Sequence, residues 1–161
     1  MKKWMLLGIL FVAIMIGIVV NVYLNAVEPV SVAEKKAVEI AAKETYLSDF
    51  TDFKLYSGEE TYYVMTGKNA GQEDVYVWIN EKNGDLITKV AKNGITQKEA
   101  LTKLYQEKQP DEIIAIRLGM SRIQMTDRPA WEIYYRKNSG TINYYYVDFE
   151  TGEKLRAIDN L

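Results

Sequence analysis

Two stretches decide the fold: Val77-Trp78-Ile79-Asn80-Glu81-Lys82-Asn83-Gly84 and, at an offset of 68 residues, Tyr145-Tyr146-Val147-Asp148-Phe149-Glu150-Thr151-Gly152. Each ends a run of strand-type residues on a polar side chain and then closes a turn on glycine. A short hairpin loop needs positive φ at such a place, which glycine adopts without steric cost. Upstream of each lies the same series of signals, so residues 31–91 and 95–159 read as two copies of one unit.

Each copy opens on a capping box, Ser31-Val32-Ala33-Glu34 and Thr96-Gln97-Lys98-Glu99. The hydroxyl accepts from the third helical amide, and the Glu reaches back to the cap amide. Helices are predicted to about Thr45 and Gln109, with apolar stripes Ala33, Ala37, Ile40, Ala41 and Ala100, Leu101, Leu104, Tyr105. Pro110 stops the second helix. Strands are predicted at 52–56, 61–66, 74–79 and 85–91, then at 113–118, 130–136, 142–149 and 154–158. The fold class is therefore α+β, each copy being one helix packed on a four-stranded antiparallel sheet. Copies this small are marginal alone, so the two are expected to pack together.

Ahead of the copies, Trp4 to Leu24 contains no charge and only Asn21 is strongly polar. As a helix this run is roughly 31 Å long, the thickness of a bilayer core, where a helix satisfies its own amides. Lys2 and Lys3 precede it and Glu28 is the first charge after it. That asymmetry predicts a signal-anchor over 1–24, with a cytoplasmic N-terminus and an extracytoplasmic C-terminal part. Trp4 and Tyr23 fall at the two interfaces. A cleaved signal is the competing reading, with only the poor site Leu24-Asn25-Ala26 to support it. The implied organisation is an anchor (1–24), a linker (25–30), a first domain (31–93) and a second (94–161).

Composition narrows the function. With Lys2 and Lys3 set aside, 18 Lys and Arg (20 less 2) face 22 Asp and Glu, a net charge of −4 outside the anchor. An evenly mixed acidic surface argues against nucleic acid as a partner. There is no cysteine, hence no disulfide, no thiol nucleophile and no lipidation site. There is no histidine either, which removes the commonest general base and metal ligand together.

Chemistry finds little to stand on. Ser31, Ser48, Ser57, Ser121 and Ser139 have no Ser-x-x-Lys context. Glu59-Glu60, Glu73-Asp74 and Asp111-Glu112 could supply acid and base groups to a wall-polysaccharide hydrolase. Neighbours on a strand point to opposite faces, however, which is wrong for cooperation. The run Asp148 to Glu153 lacks the alternating acids of a calcium loop, and Asp148 is expected to bond the turn amides instead. No metal and no cofactor are expected, and the protein is not read as an enzyme.

The aromatic strands are the strongest functional signal. Alternation puts Tyr76, Trp78 and Asn80 on one face and Val75, Val77 and Ile79 on the other. Tyr144, Tyr146 and Asp148 take the first face in the second copy, and Tyr134 joins them. With the aliphatic face against the helix, Tyr76, Trp78, Tyr134, Tyr144 and Tyr146 form an open face. Such rings offer area and a polar tip for a protein partner, and they stack on sugars, so a glycan contact stays open. The alternative is that they only pack the sheet or bury the contact between copies.

The run Tyr144 to Leu155 resembles the closing hairpin of PepSY-type domains, with a weaker version at Val75–Ile87. With one span and two such units, the chain resembles the YpmB family, the TseB-like cell-wall elongation regulators of Gram-positive bacteria. That resemblance implies tandem cystatin-like folds, no catalytic residues, and contact with a penicillin-binding transpeptidase. PepSY domains more widely are associated with restraining a peptidase.

Overall fold

The computed structural model describes residues 2–137 and 140–159, without the side chains of 2–7, 9–10 and 22–27. Trp4, Tyr23 and Ser139 therefore lie outside the described side chains. Residues 1–36 and 37–161 form two separate compact units.

The first helix, α1 (Lys2–Glu44), carries Pro29 inside it. The linker expected at 25–30 is helical, and no cap forms at Ser31. The physical reason is that the preceding turns already supply carbonyls to the amides that a Ser31 cap would have served. Among the described residues no helix is long and apolar enough to cross a membrane.

In the body at 37–161, Ala37 and Ala41 on the last turns of α1 are fully buried. Then follow β1 (Ser48–Ser57), β2 (Thr61–Lys68), β3 (Asp74–Asn80) and β4 (Leu86–Val90), an antiparallel sheet in chain order. A short 3-10 turn (Ala91–Asn93) leads to α2 (Gln97–Glu107). The second sheet is β5 (Glu112–Ile123), β6 (Thr126–Arg136), β7 (Ile142–Asp148) and β8 (Lys154–Ile158), again in chain order. The architecture is α+β.

The duplication is visible in the pairing. Tyr63 stands opposite Ile79, and Trp131 opposite Val147, each residue moved by 68 positions. The turns also match bond for bond. Asn80 Oδ1 accepts from the amides of Lys82 (2.9 Å) and Asn83 (3.3 Å). Asp148 Oδ1 accepts from those of Glu150 (2.9 Å) and Thr151 (2.8 Å). Gly84 and Gly152 close them at φ 78° and 70°. The capping box of α2 is formed as well, Thr96 Oγ1 accepting from the Glu99 amide and Glu99 from the Thr96 amide. Ala100 and Leu104 are buried, but Tyr105 at the end of the expected stripe is 56% exposed.

The copies differ at one hairpin. β5 and β6 run on to a two-residue turn at Gln124 and Met125, both at positive φ. This arm, at 119–129, exceeds the strands expected from the sequence and reaches the first sheet. Tyr56 Oη donates to the Met120 carbonyl (3.1 Å), Tyr62 Oη to Asp127 (2.8 Å) and Arg122 to Glu60 (2.7 Å).

One core joins the sheets. Tyr56, Tyr62, Val64 and Trp78 from the first sheet pack with Met120, Trp131 and Phe149 from the second, while Ile133, Tyr145 and Val147 meet Ala100 and Leu104 of α2. Gly119 is required at this joint, because a Cβ there would overlap the Tyr56 ring. Overpacking of this kind costs about 1–3 kcal/mol. Gly119→Ala should lower thermal stability by that amount in a melting experiment, whereas Gly71→Ala, on an open loop, should change it by a few tenths.

Candidate interaction face

The second sheet places four residues in a row, one per strand: Arg117, Glu132, Tyr146 and Arg156. They lie on the face turned away from α2. Glu132 is only 2% exposed. Its carboxylate accepts from Arg117 Nε (2.9 Å), Tyr146 Oη (2.9 Å) and Tyr56 Oη (2.7 Å), the last coming from the first sheet. The Arg117 guanidinium lies 5.8 Å from the centre of the Tyr56 ring. Glu59, in the turn after β1, pairs with Arg156. This row is therefore covered by the β1–β2 turn.

Burial, and then the Glu132 carboxylate beside them, push the Tyr56 and Tyr146 phenols well above the usual range. Tyr62 is pushed up to about 12, by burial first and then by its bond to Asp127. Tyr135 also rises to about 12, through burial and the nearby Asp159. Asn80, followed by Arg122, holds the Glu60 carboxyl below its ordinary value.

One row further along the strands stand Ala115, Tyr134, Tyr144 and Ile158. Tyr134 and Tyr144 are stacked, their ring centres 4.8 Å apart and their planes inclined by 18°. Both are half-buried, and Ile114 beside them on the edge strand is 37% exposed.

Of the five aromatic residues expected on an open face, the structure brings Tyr134, Tyr144 and Tyr146 together. Trp78 is a correction, whereas Tyr76 is half-buried like Tyr134 and Tyr144. Trp78 is fully buried, and both rings meet Phe149 edge-on, at 5.6 Å for Tyr76 and 5.9 Å for Trp78. The alternation holds, but at Trp78 that face of the first sheet is closed by the second copy. The price is visible at Trp78, whose Nε1 has no hydrogen-bond partner among the described residues.

Tyr56, Arg117 and Glu132 were missed as a group. A lone Glu between Trp131 and Ile133 on a strand was the available signal, since an acid there needs partners. Five of the six residues in the acid pairs are held by cations: Glu59 by Arg156, Glu60 by Arg122, Glu73 by Lys92, Asp74 by Lys68 and Glu112 by Arg136. Among the described residues no three acids gather as metal ligands.

The fold is a pair of repeated units, each with a four-stranded antiparallel sheet. The model of the cell wall elongation regulator TseB-like domain matches residues 36–80, and that of the peptidase propeptide and YPEB domain matches 94–157. The probable cell wall elongation regulator TseB of Bacillus subtilis is 28% identical over 155 residues, 94% of this chain and 91% of that protein. The solved YpmB protein from Bacillus subtilis superposes with a TM-score of 0.69 at 28% identity, covering 78% of this chain and 95% of that one. These matches together support a place for the chain among the YpmB/TseB-like proteins.

Two measurements test the Glu132 joint. Glu132→Ala leaves Arg117 and the Tyr146 hydroxyl unmatched, with the Tyr56 hydroxyl falling back on the Met120 carbonyl, and should cost about 3 kcal/mol in denaturant unfolding, against about 1 kcal/mol for Tyr146→Phe. The raised phenols also fix an alkaline limit. They keep their protons in the fold while an unfolded tyrosine loses its own near pH ~10. Stability is therefore complete below that pH and falls as pH rises through it. Tyrosinate absorbance should rise first for exposed tyrosines near pH ~10 and again near pH 12 for Tyr62 and Tyr135.

Proposed function

We infer that this protein is a non-catalytic, membrane-anchored regulator of cell-wall elongation. It acts by presenting the second copy's aromatic face to an extracytoplasmic partner, a penicillin-binding transpeptidase. The observation that carries this reading is the asymmetry between the copies. Trp78 is fully buried in the first copy, while the equivalent face of the second copy keeps the Tyr134–Tyr144 stack half-exposed. The relative named a probable cell wall elongation regulator supports the role, and the family resemblance supports the transpeptidase.

Support for the anchor comes from the exposed apolar side chains of α1 between Phe11 and Val20, which run all round the helix. No charge interrupts Trp4–Leu24, and Lys2 and Lys3 hold the N-terminus in the cytoplasm. Tethering raises the local concentration of the body, so a small contact is enough. In this reading 31–93 and 94–161 are the two evolutionary units, held as one body by their shared core. A second reading, restraint of an envelope peptidase, is favoured by the peptidase-propeptide match over 94–157. It requires the purified chain to slow proteolysis by a co-purified peptidase.

Tyr134→Ala and Tyr144→Ala should each reduce co-purification of the partner from membranes about tenfold, with a stability cost of about 1 kcal/mol. Tyr76→Ala, lying between the sheets, should cost about 2–3 kcal/mol and leave capture by the remaining folded protein intact. Equal loss of capture and stability at Tyr144 would reduce the stack to packing.

A further inference from the structure

A cleft of about 340 Å³ opens between the two sheets, on the side away from the Tyr134–Tyr144 stack. Its size is at the small end for ligand pockets, right for an amino acid or a dipeptide. Val64 and Leu118 line its apolar wall, while Asp52, Lys54, Asp74 and Tyr76 supply its polar groups.

The polar side is unusual for this protein. β1 carries register shifts on both sides of Thr51, and Asp52 sits at φ 55°. Bulges of this kind re-aim side chains, and a non-glycine residue at positive φ is uncommon. Most acids of the body are paired with cations, yet the side chains of Asp52 and Lys54 make no hydrogen bond or ion pair among the described residues. Nor does the Tyr76 hydroxyl donate to any group. Asp52, Asp74 and Tyr76 line the same cleft, and the two carboxylates add to burial in raising the Tyr76 phenol. Asp74 has a cation of its own in Lys68, at 2.7 Å on the strand beside it.

We propose that this cleft binds a small ligand carrying a primary ammonium on an aliphatic stem together with a carboxylate, as in a lysine-type diamino acid. An ammonium has three donors, and the cleft offers three acceptors, on Asp52, Asp74 and the Tyr76 oxygen. The face of the Tyr76 ring adds cation–π attraction. The stem lies along Val64 and Leu118, and Lys54, two residues from Asp52 on β1, meets the carboxylate. The site is separate from the aromatic face and does not rest on the partner reading.

The test is a ¹⁵N NMR titration of the full-length chain in detergent micelles. L-Lysine should move the Thr66, Tyr76 and Gln97 amides saturably, and norleucine, which keeps the stem without the ammonium, should bind at least about tenfold more weakly. Asp52→Asn should weaken lysine binding by a similar factor with an unchanged melting temperature, because Asn tolerates positive φ. Lys54→Met should weaken lysine but leave cadaverine, which has no carboxylate, unaffected. Absence of a saturable response to lysine, equal binding of norleucine, or indifference to Asp52→Asn would overturn the proposal. So would a response confined to di-N-acetylchitobiose, which would make the cleft a sugar site.

Discussion

The Glu132 carboxylate, nearly sealed from water, is the constraint on which the joining of the two sheets depends. Removing a carboxylate from water costs several kcal/mol unless charge and hydrogen bonds replace the hydration. Here the replacements come from three strands and both sheets: Arg117 on β5, Tyr146 on β7 and Tyr56 on β1. Satisfying this one acid requires the first sheet to be docked on the second. Gly119 makes the docking sterically feasible, since it leaves room for the Tyr56 ring. The bonds from Tyr62 to Asp127 and from Arg122 to Glu60 then fix the arm of the β5–β6 hairpin against the same strands.

Duplication followed by docking accounts for the difference between the two aromatic faces. Identical register in β2–β3 and β6–β7 gives equivalent faces. Docking treats the two unequally: the second copy closes the first copy's face at Trp78, and among the described residues only the β1–β2 region reaches the second copy's. Covered in part by the β1–β2 turn, that last face keeps the Tyr134–Tyr144 stack at its outer edge. The second copy thus keeps an aromatic surface of the kind a protein contact uses without any new element.

Local chemistry was legible in the sequence where short-range rules govern it. The two glycine turns, the Asn80 and Asp148 bonds to turn amides, the Thr96 capping box and the strand order all follow from spacing within a few residues. Side-chain alternation was legible too, and placed Tyr144, Tyr146 and Tyr134 together. What escaped was decided by contacts distant in the chain. Whether the Trp78 face is open depends on Phe149, 71 residues away. Whether Glu132 is a surface acid or a buried one depends on Tyr56, 76 residues away. At Ser31 the capping signal is present, but the continuous helix before it removes the unsatisfied amides that a cap would serve.

The most direct test of this account is photo-crosslinking in living cells from single positions on the two equivalent faces. A photoreactive phenylalanine analogue at Tyr144 should capture another protein in high yield, identified by mass spectrometry, while the same analogue at Trp78, which is fully buried, should give no intermolecular product. Equal capture from both positions, or capture from Trp78 alone, would contradict the claim that docking closes the first face at Trp78 and leaves the second for a partner.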